Sequence, residues 1–131
     1  MYKSQEGPIQ EFSWGRIIVN GKVHSQSTNG DITGAGKDIR IVAGKASEWK
    51  ERSGHLLKAN MVTGIFEENV EVLIIGNGVY GSLKCPESVK KFIRENGVGK
   101  LIIENSPDAC NIYNEFYRRG EKVALLIHGT C

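Results

Sequence analysis

The sequence predicts an α/β fold, and three observations support that prediction. Short apolar runs at residues 71–75, 100–104 and 122–127 have the length and β-branched content of buried strands. Amphipathic segments separate these runs, and an Asn-Gly pair early in the chain is a strong hairpin signal. Strand, helix, strand, helix and strand joined by short connections imply right-handed crossovers and a parallel sheet covered by helices.

The N-terminal part of the chain predicts a β-hairpin. Phe12–Val19 alternates in polarity and is expected to form one strand, which turns at Asn20-Gly21 into a return strand that begins at Val23. Residues 25–37 are polar and glycine-rich, which predicts a loop, and residues 38–42 alternate again and predict a third short strand. We expect this hairpin either to extend the parallel sheet or to form a small second layer beside it.

The middle of the chain is less regular. Residues 43–54 predict an irregular connection, and residues 57–69 predict a helix that Gly64 weakens. The next helix is expected to begin at Pro86, because the missing N–H of proline costs nothing in a first turn, and to stop at Asn96-Gly97.

The last helix is expected to have Ser106 as its N-cap, a proline and an acid in its first turn, and an end at Gly120. Cys110, inside that helix, is expected to be a core residue. The predicted architecture is therefore a three-layer α/β/α-like domain, with a C-terminal parallel βαβαβ unit and the N-terminal hairpin packed beside it.

Composition excludes several classes of protein. The chain has 131 residues, enough for one domain over residues 1–131, and a net charge of +2 that is too small and too evenly spread for a nucleic-acid binder. Apolar runs stay far below the length of a membrane span, and the N-terminal residues do not resemble a signal peptide. Three cysteines without paired spacing predict free thiols in a cytoplasmic protein, and no Cys/His spacing predicts a metal site.

Four stretches of the chain form a recognisable pattern. They are Phe12-Ser-Trp-Gly with Ile17–Val19, Trp49-x-x-Arg52-x-Gly54-His55, Leu73-Ile-Ile-Gly76-x-Gly78 and Ile127-His-Gly-Thr-Cys131. Together they make the chain resemble, from about Ser13 to Cys131, the adipogenesis-associated Mth-domain-containing proteins, a family of unknown function that includes structural-genomics targets. The same small fold appears in a mitochondrial complex I assembly factor. The resemblance implies a three-layer α/β fold with a parallel central sheet, and it implies no activity, because members of the family are not assigned a reaction. Named members of the family are linked to assembly and regulatory roles, and a transfer of such a role to this chain would rest on association alone.

A ligand crevice is predicted where the parallel strands end. Crevices at the carboxyl ends of parallel strands are the usual ligand sites of such sheets, and three loops are expected to meet there: 76–86, 104–107 and 128–131. Two helix N-termini at the same rim favour an anion. The predicted ligand-binding residues are Gly76, Gly78, Tyr80, Gly81, Lys84, Asn105, Ser106 and Arg52.

The glycine motif in the first of these loops has three interpretations. Gly76-x-Gly78-x-x-Gly81 matches a dinucleotide fingerprint as a string, and Glu104 lies where a ribose-binding acid is expected. In a true fingerprint, however, the helix opens inside the motif, whereas here Leu83, Cys85 and Pro86 intervene. A wide turn is therefore favoured over an anion site, and an anion site over a dinucleotide, so no cofactor is predicted.

Two further groups could carry chemistry. Cys85 precedes a helix N-terminus, which lowers a thiol pKa, and His128 on the same rim could act as its base. The alternative is that both are packing residues. In the second group, Arg52 either stacks on Trp49 or binds an anion, and Trp49 is expected to cover one end of the sheet.

Two functions remain open on the sequence. The leading one is a non-enzymatic binding or assembly module whose partner is a small anionic ligand or a protein. The other is a small thiol-dependent enzyme or hydrolase that uses Cys85 or His128. No paired carboxylates or HExxH motif point to a glycosidase or a zinc protease.

Overall fold

A computed structural model describes all of residues 1–131 and contains two five-stranded sheets and two α-helices. The N-terminal sheet has the order β1-β2-β3-β4-β5, and the second, mixed sheet has the order β7-β6-β10-β8-β9. The strands are β1 (Tyr2–Lys3), β2 (Ile9–Ser13), β3 (Arg16–Val19), β4 (Lys22–Gln26), β5 (Ile32–Thr33), β6 (Ile39–Val42), β7 (Lys45–Glu48), β8 (Val72–Gly76), β9 (Lys100–Glu104) and β10 (Val123–Ile127). The helices are α1 (Glu87–Glu95) and α2 (Ser106–Arg118), and neither is long and apolar enough to cross a membrane.

The parallel βαβαβ unit is confirmed. Strand β10 pairs in parallel with β8, and β8 pairs in parallel with β9, with Val72 opposite both Val123 and Lys100. The third short strand of the N-terminal half, β6, joins this sheet antiparallel to β10, with Ile39 opposite Ile127. All five residues of β8 and of β10 are buried, as expected for strands covered on both faces.

The hairpin forms a second layer, but its first strand was predicted wrongly. Phe12–Val19 is not one strand: the chain turns at Trp14-Gly15, and β2 pairs with β3 so that Phe12 lies opposite Ile17. Both side chains are almost fully buried. Residues five apart in one strand would point to opposite faces, so the turn is what lets both reach the core. The polar stretch 25–37 also contributes the end of β4 and the short strand β5.

The middle of the chain departs from the sequence prediction in two places. Within residues 43–54, β7 pairs with β6 instead of forming an irregular connection throughout. Residues 57–69 form no α-helix and contain only two short 3₁₀ turns, Ala59–Met61 and Phe66–Glu68. The apolar residues Leu57, Met61 and Ile65 are buried against the sheet, so tertiary packing overrides the helical pattern in this segment.

The two helices follow the predicted limits closely, with one change of cap. Helix α1 begins at Glu87 after Pro86 and ends before Asn96. Asn105, not Ser106, is the N-cap of α2, because its side-chain oxygen accepts a hydrogen bond from the Asp108 N–H at 3.0 Å. The Ser106 hydroxyl does not cap the helix and instead bonds to Gly78 and His128 at the candidate site.

The core has two parts, one on each face of the mixed sheet. One part packs α2 and the N-terminal sheet against the first face, and Cys110 is fully buried there, which confirms its predicted place. The other part packs α1, Trp49 and the segment after it against the second face. Asn114 links α2 to the N-terminal sheet, since it donates to Ile9 O and accepts from the Ile9 N–H. These layers confirm the three-layer α/β prediction.

Candidate functional site

The three predicted loops meet at the carboxyl ends of β8, β9 and β10. The Asn77 N–H donates to Glu104 O at 2.9 Å, the Val79 N–H donates to Thr130 O at 2.7 Å, and the Ser106 N–H donates to Gly78 O at 3.0 Å. Parallel pairing brings these strand ends to one edge of the sheet, and the loop backbones then bond directly to one another. We call the edge formed by residues 76–86, 104–107 and 128–131 the strand-end edge.

The chain itself fills the floor of this edge. The backbone oxygen of Cys131 accepts hydrogen bonds from the Tyr80 N–H at 3.2 Å and the Ser82 N–H at 3.0 Å. Gly78 lies directly beneath, where a Cβ atom would come within 2.3 Å of the Cys131 backbone. The N–H groups that a bound anion would need here therefore already hold an oxygen atom of the protein.

Ser106 ties the same loops together. Its hydroxyl accepts from the Gly78 N–H at 2.9 Å and donates to His128 O at 2.6 Å. Gly76 also has a packing role, because a Cβ there would meet Ile127 and Ser106 within 3.1 Å. Gly81 is a turn residue, and α1 begins at Glu87, well beyond it. These contacts agree with the wide-turn interpretation of the glycine motif.

Asp38 organises the opposite side of the strand-end edge. One carboxylate oxygen lies 2.9 Å from His128 Nδ1 and accepts from the Gly129 N–H at 2.8 Å. The other accepts from Arg52 Nε at 2.9 Å. Burial alone would raise the pKa of Asp38, but these hydrogen bonds and the positive charge of Arg52 outweigh it and lower the pKa to about 2.

The state of Asp38 fixes the orientation of His128. An ionised carboxylate only accepts hydrogen bonds, so His128 Nδ1 carries the proton of that contact. In the neutral imidazole, Nε2 is then the nitrogen with a free lone pair. His128 is almost completely buried, and the bond to Asp38 fixes which ring nitrogen faces Cys131.

A cluster of three side chains lies at this lone pair. Cys131 Sγ is 3.8 Å from His128 Nε2 and 3.2 Å from His55 Nε2. The potential ligand atoms of His55, His128 and Cys131 all lie within 4.8 Å of one another. His55 is positioned by its backbone, because its carbonyl oxygen accepts from the Lys84 N–H at 2.8 Å. The arrangement joins two imidazoles, one thiol and, through Asp38, one carboxylate.

Cys85 does not belong to this cluster. Its thiol makes only a long contact with Pro86 O, and burial raises its pKa, the reverse of the lowering expected at a helix N-terminus. The side chain is partly buried and packs against the core on the α1 side of the sheet. The thiol beside His128 is that of Cys131, which the sequence did not single out as a candidate.

Arg52 and Trp49 have separate partners. Arg52 donates to Asp38 and to Gly54 O, and it makes no stacking contact with Trp49. The Trp49 ring is buried, and its Nε1–H donates to Met61 O at 2.7 Å. Trp49 thus has the structural place that was expected, and Arg52 acts on the cluster through Asp38.

Exposed aromatic side chains mark the outer face of the strand-end edge. Tyr80 is 78% exposed and Trp14 is 49% exposed, and their ring centroids lie 5.8 Å apart. Trp14 reaches this edge from the turn between β2 and β3, where the Gly15 N–H donates to Gly129 O. Leu56, 52% exposed, and Lys84 lie on neighbouring chain segments that are bonded to each other. We call Trp14, Tyr80, Leu56 and Lys84 the aromatic rim.

The largest cavity lies elsewhere. It has a volume of about 510 Å³ and is lined by residues at the amino end of β10, including Tyr117, Lys122 and Val123. It contains none of the predicted site residues, and besides Tyr117 its lining consists of two carboxylates, a lysine, aliphatic side chains and a glycine. The chemistry of the molecule is concentrated at the strand-end edge instead.

Asp38, His55, Cys131 and Trp14 were missed as site residues. They lie far apart in the sequence, and long-range contacts bring them to the strand-end edge: the pairing of β6 with β10, the turn at Trp14-Gly15 and the bridge between Leu56 and Lys84. The resemblance motifs contained Trp14, His55 and Cys131, which was the one available signal. No spacing in the sequence points to Asp38.

Comparison with known proteins gives a family match. The model of a family described as a protein of unknown function (DUF498/DUF598) matches residues 9–128. This range includes β2 to β10, Asp38, His55 and His128.

Solved structures share the fold at low identity. A conserved hypothetical protein of Pyrococcus horikoshii is 22% identical with a TM-score of 0.74, and 94% of this chain and 98% of that chain are covered. An outer membrane protein of Bartonella henselae is 18% identical with a TM-score of 0.74, covering 96% and 97%. An Mth938-like domain of Bordetella pertussis is 17% identical with a TM-score of 0.60, covering 92% and 84%. At these identities the similarity shows the fold alone, and it confirms the resemblance to Mth-domain proteins.

Proposed function

The chain belongs to the DUF498/DUF598 family, and from that premise we propose that it is a non-enzymatic binding or assembly module whose protein partner docks on the aromatic rim. The observation that carries the proposal is the contact between Trp14 and Tyr80, two large side chains that remain exposed while the rest of the edge is bonded. Tryptophan and tyrosine are the side chains most enriched at the energetic centres of protein interfaces.

The rim offers both apolar and charged contacts to a partner. Trp14, Tyr80 and Leu56 expose apolar surface, and Lys84 adds a positive charge beside them. Lys84 would attract an acidic group on the partner. The anion predicted from the sequence would then be a carboxylate of the partner protein. The Tyr80 and Ser82 N–H groups already bind the Cys131 oxygen, so a small anion has fewer donors to use. A protein surface therefore fits this edge better than a free small anion does.

The test compares rim variants with a matched aromatic control. Trp14→Ala and Tyr80→Ala should each abolish recovery of a specific protein with the tagged chain from its own source cell. Tyr117→Ala removes a 41% exposed tyrosine beside the cavity at the amino end of β10, and should leave recovery unchanged. If all three variants recover the same proteins as the unaltered chain, the rim is not the docking surface.

A small ligand is the contrary outcome of the same purification. Native mass spectrometry of gently purified protein would then show a co-purifying small mass that is lost in Lys84→Ala. That result would contradict the proposed protein partner. It would favour a small anionic ligand bound in the crevice that the sequence predicts.

The second candidate function is thiol chemistry, and a specific contact favours it. Asp38, His128 and Cys131 form a line in which the carboxylate orients the imidazole and the imidazole faces a thiol. Cys131 replaces Cys85 as the candidate nucleophile in this version. The nearest backbone donors, the Tyr80 and Ser82 N–H groups, are bonded to the Cys131 oxygen and do not form a free oxyanion site, so this function ranks second.

Alkylation rates test the thiol candidate. If His128 activates Cys131, iodoacetamide should label Cys131 at neutral pH much faster than a model thiol, and His128→Ala should remove that advantage. A labelling rate at or below that of a model thiol would eliminate the enzyme hypothesis.

A further inference from the structure

We propose that His55, His128 and Cys131 form a zinc-binding site with three protein ligands, with Asp38 as the residue that orients His128. The site is distinct from the aromatic rim and does not depend on the function proposed for it. Two imidazoles and one thiolate are a donor set that Zn²⁺ accepts, and three protein ligands leave a fourth position for water or another ligand.

The distances fit a shared ion. Zinc–sulfur and zinc–nitrogen bonds of about 2.3 Å and 2.0–2.1 Å at a tetrahedral angle place sulfur and nitrogen about 3.5 Å apart. The two sulfur–nitrogen distances here, 3.2 Å to His55 and 3.8 Å to His128, lie on either side of that value. The two imidazoles come within 4.8 Å and need to close by about 1.4 Å. His55 is exposed, so its ring has room to make that movement.

The Cys131 thiol is within reach of both imidazoles. Because Asp38 accepts a hydrogen bond from His128 Nδ1, the lone pair on His128 Nε2 faces the thiol. His55 Nε2 approaches the same sulfur atom. A cation between the three groups bonds to all of them at once.

The surroundings of His128 are those of a metal-bound histidine. Ligating histidines characteristically donate their other ring N–H to a carboxylate, which fixes the tautomer and the orientation of the ring. His128 Nδ1 does this to Asp38, which is itself held by the Gly129 N–H and by Arg52. Asp38 is therefore a positioning residue, and its effect on zinc passes through His128.

The ligands are also fixed by their backbones. Cys131 is held through its oxygen by Tyr80 and Ser82, and His55 through its oxygen by Lys84. Binding converts the thiol to a thiolate, so one zinc–sulfur bond forms, one S–H bond breaks, and the proton leaves to the buffer. Zinc uptake should accordingly release about one proton per chain.

The experiment uses untagged, chelator-treated protein and measures Zn²⁺ affinity by competition with a chromophoric chelator. The unaltered chain should bind one zinc ion, and Cys131→Ser, His55→Ala and His128→Ala should each weaken binding at least about 10-fold. Asp38→Asn should weaken it about 10- to 100-fold, as expected for an orienting carboxylate. Cys85→Ser is the matched thiol control and should bind like the unaltered chain.

Cobalt substitution is a second readout, because the absorption spectrum of bound Co²⁺ identifies a sulfur ligand directly. The Co²⁺ form should show a thiolate-to-cobalt charge-transfer band that is present in Cys85→Ser and absent in Cys131→Ser. Two results would overturn the proposal: a Zn²⁺ affinity in the unaltered chain no higher than in Cys131→Ser, or a Co²⁺ spectrum without the thiolate band.

Discussion

Gly78 and Cys131 are in direct backbone contact: a Cβ on Gly78 would lie 2.3 Å from the carbonyl carbon and oxygen of Cys131. Because of this contact, the segment after β10 packs on the loop after β8. The same packing places the Cys131 thiol beside His55 and His128. The position of the Cys131 thiol therefore depends on the absence of a side chain at Gly78.

Gly78→Ala should therefore destabilise the protein more than its backbone angle alone explains. Gly78 has φ of 102° and Gly97 has φ of 101°, but nothing lies within 4 Å of a Cβ at Gly97. Both alanine variants incur the strain of positive φ, about 1–2 kcal/mol. Gly78→Ala should lose at least about 2 kcal/mol more because of the clash, as measured by urea unfolding. An equal decrease in the free energy of unfolding in the two variants would show that the segment at Cys131 moves away from the added Cβ at little cost.

The ion pairs of Asp38 should make stability depend on acid pH. The pKa of Asp38 is lowered to about 2 in the folded chain, below its value of about 3.9 when unfolded. The folded state therefore favours the ionised form, and the stabilisation is complete above about pH 4 and is lost as the pH falls towards 2.

Asp38→Asn should measure that contribution directly. The variant should be less stable than the unaltered chain by about 2 kcal/mol at pH 7, and the difference should shrink towards zero near pH 2. Asp31→Asn, at an exposed aspartate whose side chain makes no ion pair, serves as the control and should follow the unaltered chain. A difference for Asp38→Asn that stays constant with pH would mean that lost packing, not charge, is responsible.

Asn114 should be one of the most sensitive positions for stability. It is fully buried and bonds to both backbone groups of Ile9 and to the Tyr2 hydroxyl. Asn114→Ala leaves a buried N–H and a buried carbonyl unpaired, so it should cost about 2–3 kcal/mol in thermal or urea unfolding. Asn111→Ala, on the exposed face of the same helix, should change stability by less than about 0.5 kcal/mol. Similar values for the two variants would contradict the role given to Asn114.

Cys110 and Cys85 should both react slowly with iodoacetamide in the folded protein. Cys110 is fully buried and its pKa is raised by burial, so it should remain unlabelled until the protein unfolds. Burial also raises the pKa of Cys85, so this partly buried thiol should react more slowly than a model thiol. Peptide mapping by mass spectrometry gives each rate, and denatured protein, in which all three react alike, is the reference. Rapid native labelling of Cys110 would contradict the packing of α2.

The elements that were predicted correctly are those that depend on residues close together in the sequence. The runs of β8 and β10 are apolar along their length because both faces of each strand are covered, and their short length and flanking turn residues distinguish them from buried helices. The turn at Trp14-Gly15 was missed because the alternation of Phe12–Val19 is equally compatible with one strand. The segment 57–69 was misread because its apolar residues pack on the sheet from 3₁₀ and extended backbone.

The candidate site could be foreseen only in outline. Strand order brought the loops 76–86, 104–107 and 128–131 together as expected, because parallel strands end at one edge. The cluster around His128 also needs Asp38 and His55, which arrive through the antiparallel pairing of β6 with β10 and through the bridge between Leu56 and Lys84. Such long-range contacts produce no repeating pattern of apolar and polar residues, so the sequence alone does not predict them.

The position of β10 has a consequence for how the chain is made. It lies between β6 and β8, so the two halves of the mixed sheet have no hydrogen bonds to each other except through it. It is also the last strand of the sheet to emerge during synthesis. A ribosome-bound nascent chain that has not yet released residues 123–127 must hold β6 and β8 with open edges, which are templates for aggregation. Completion of the sheet is therefore a late event, and chaperone dependence should be concentrated in that interval of translation.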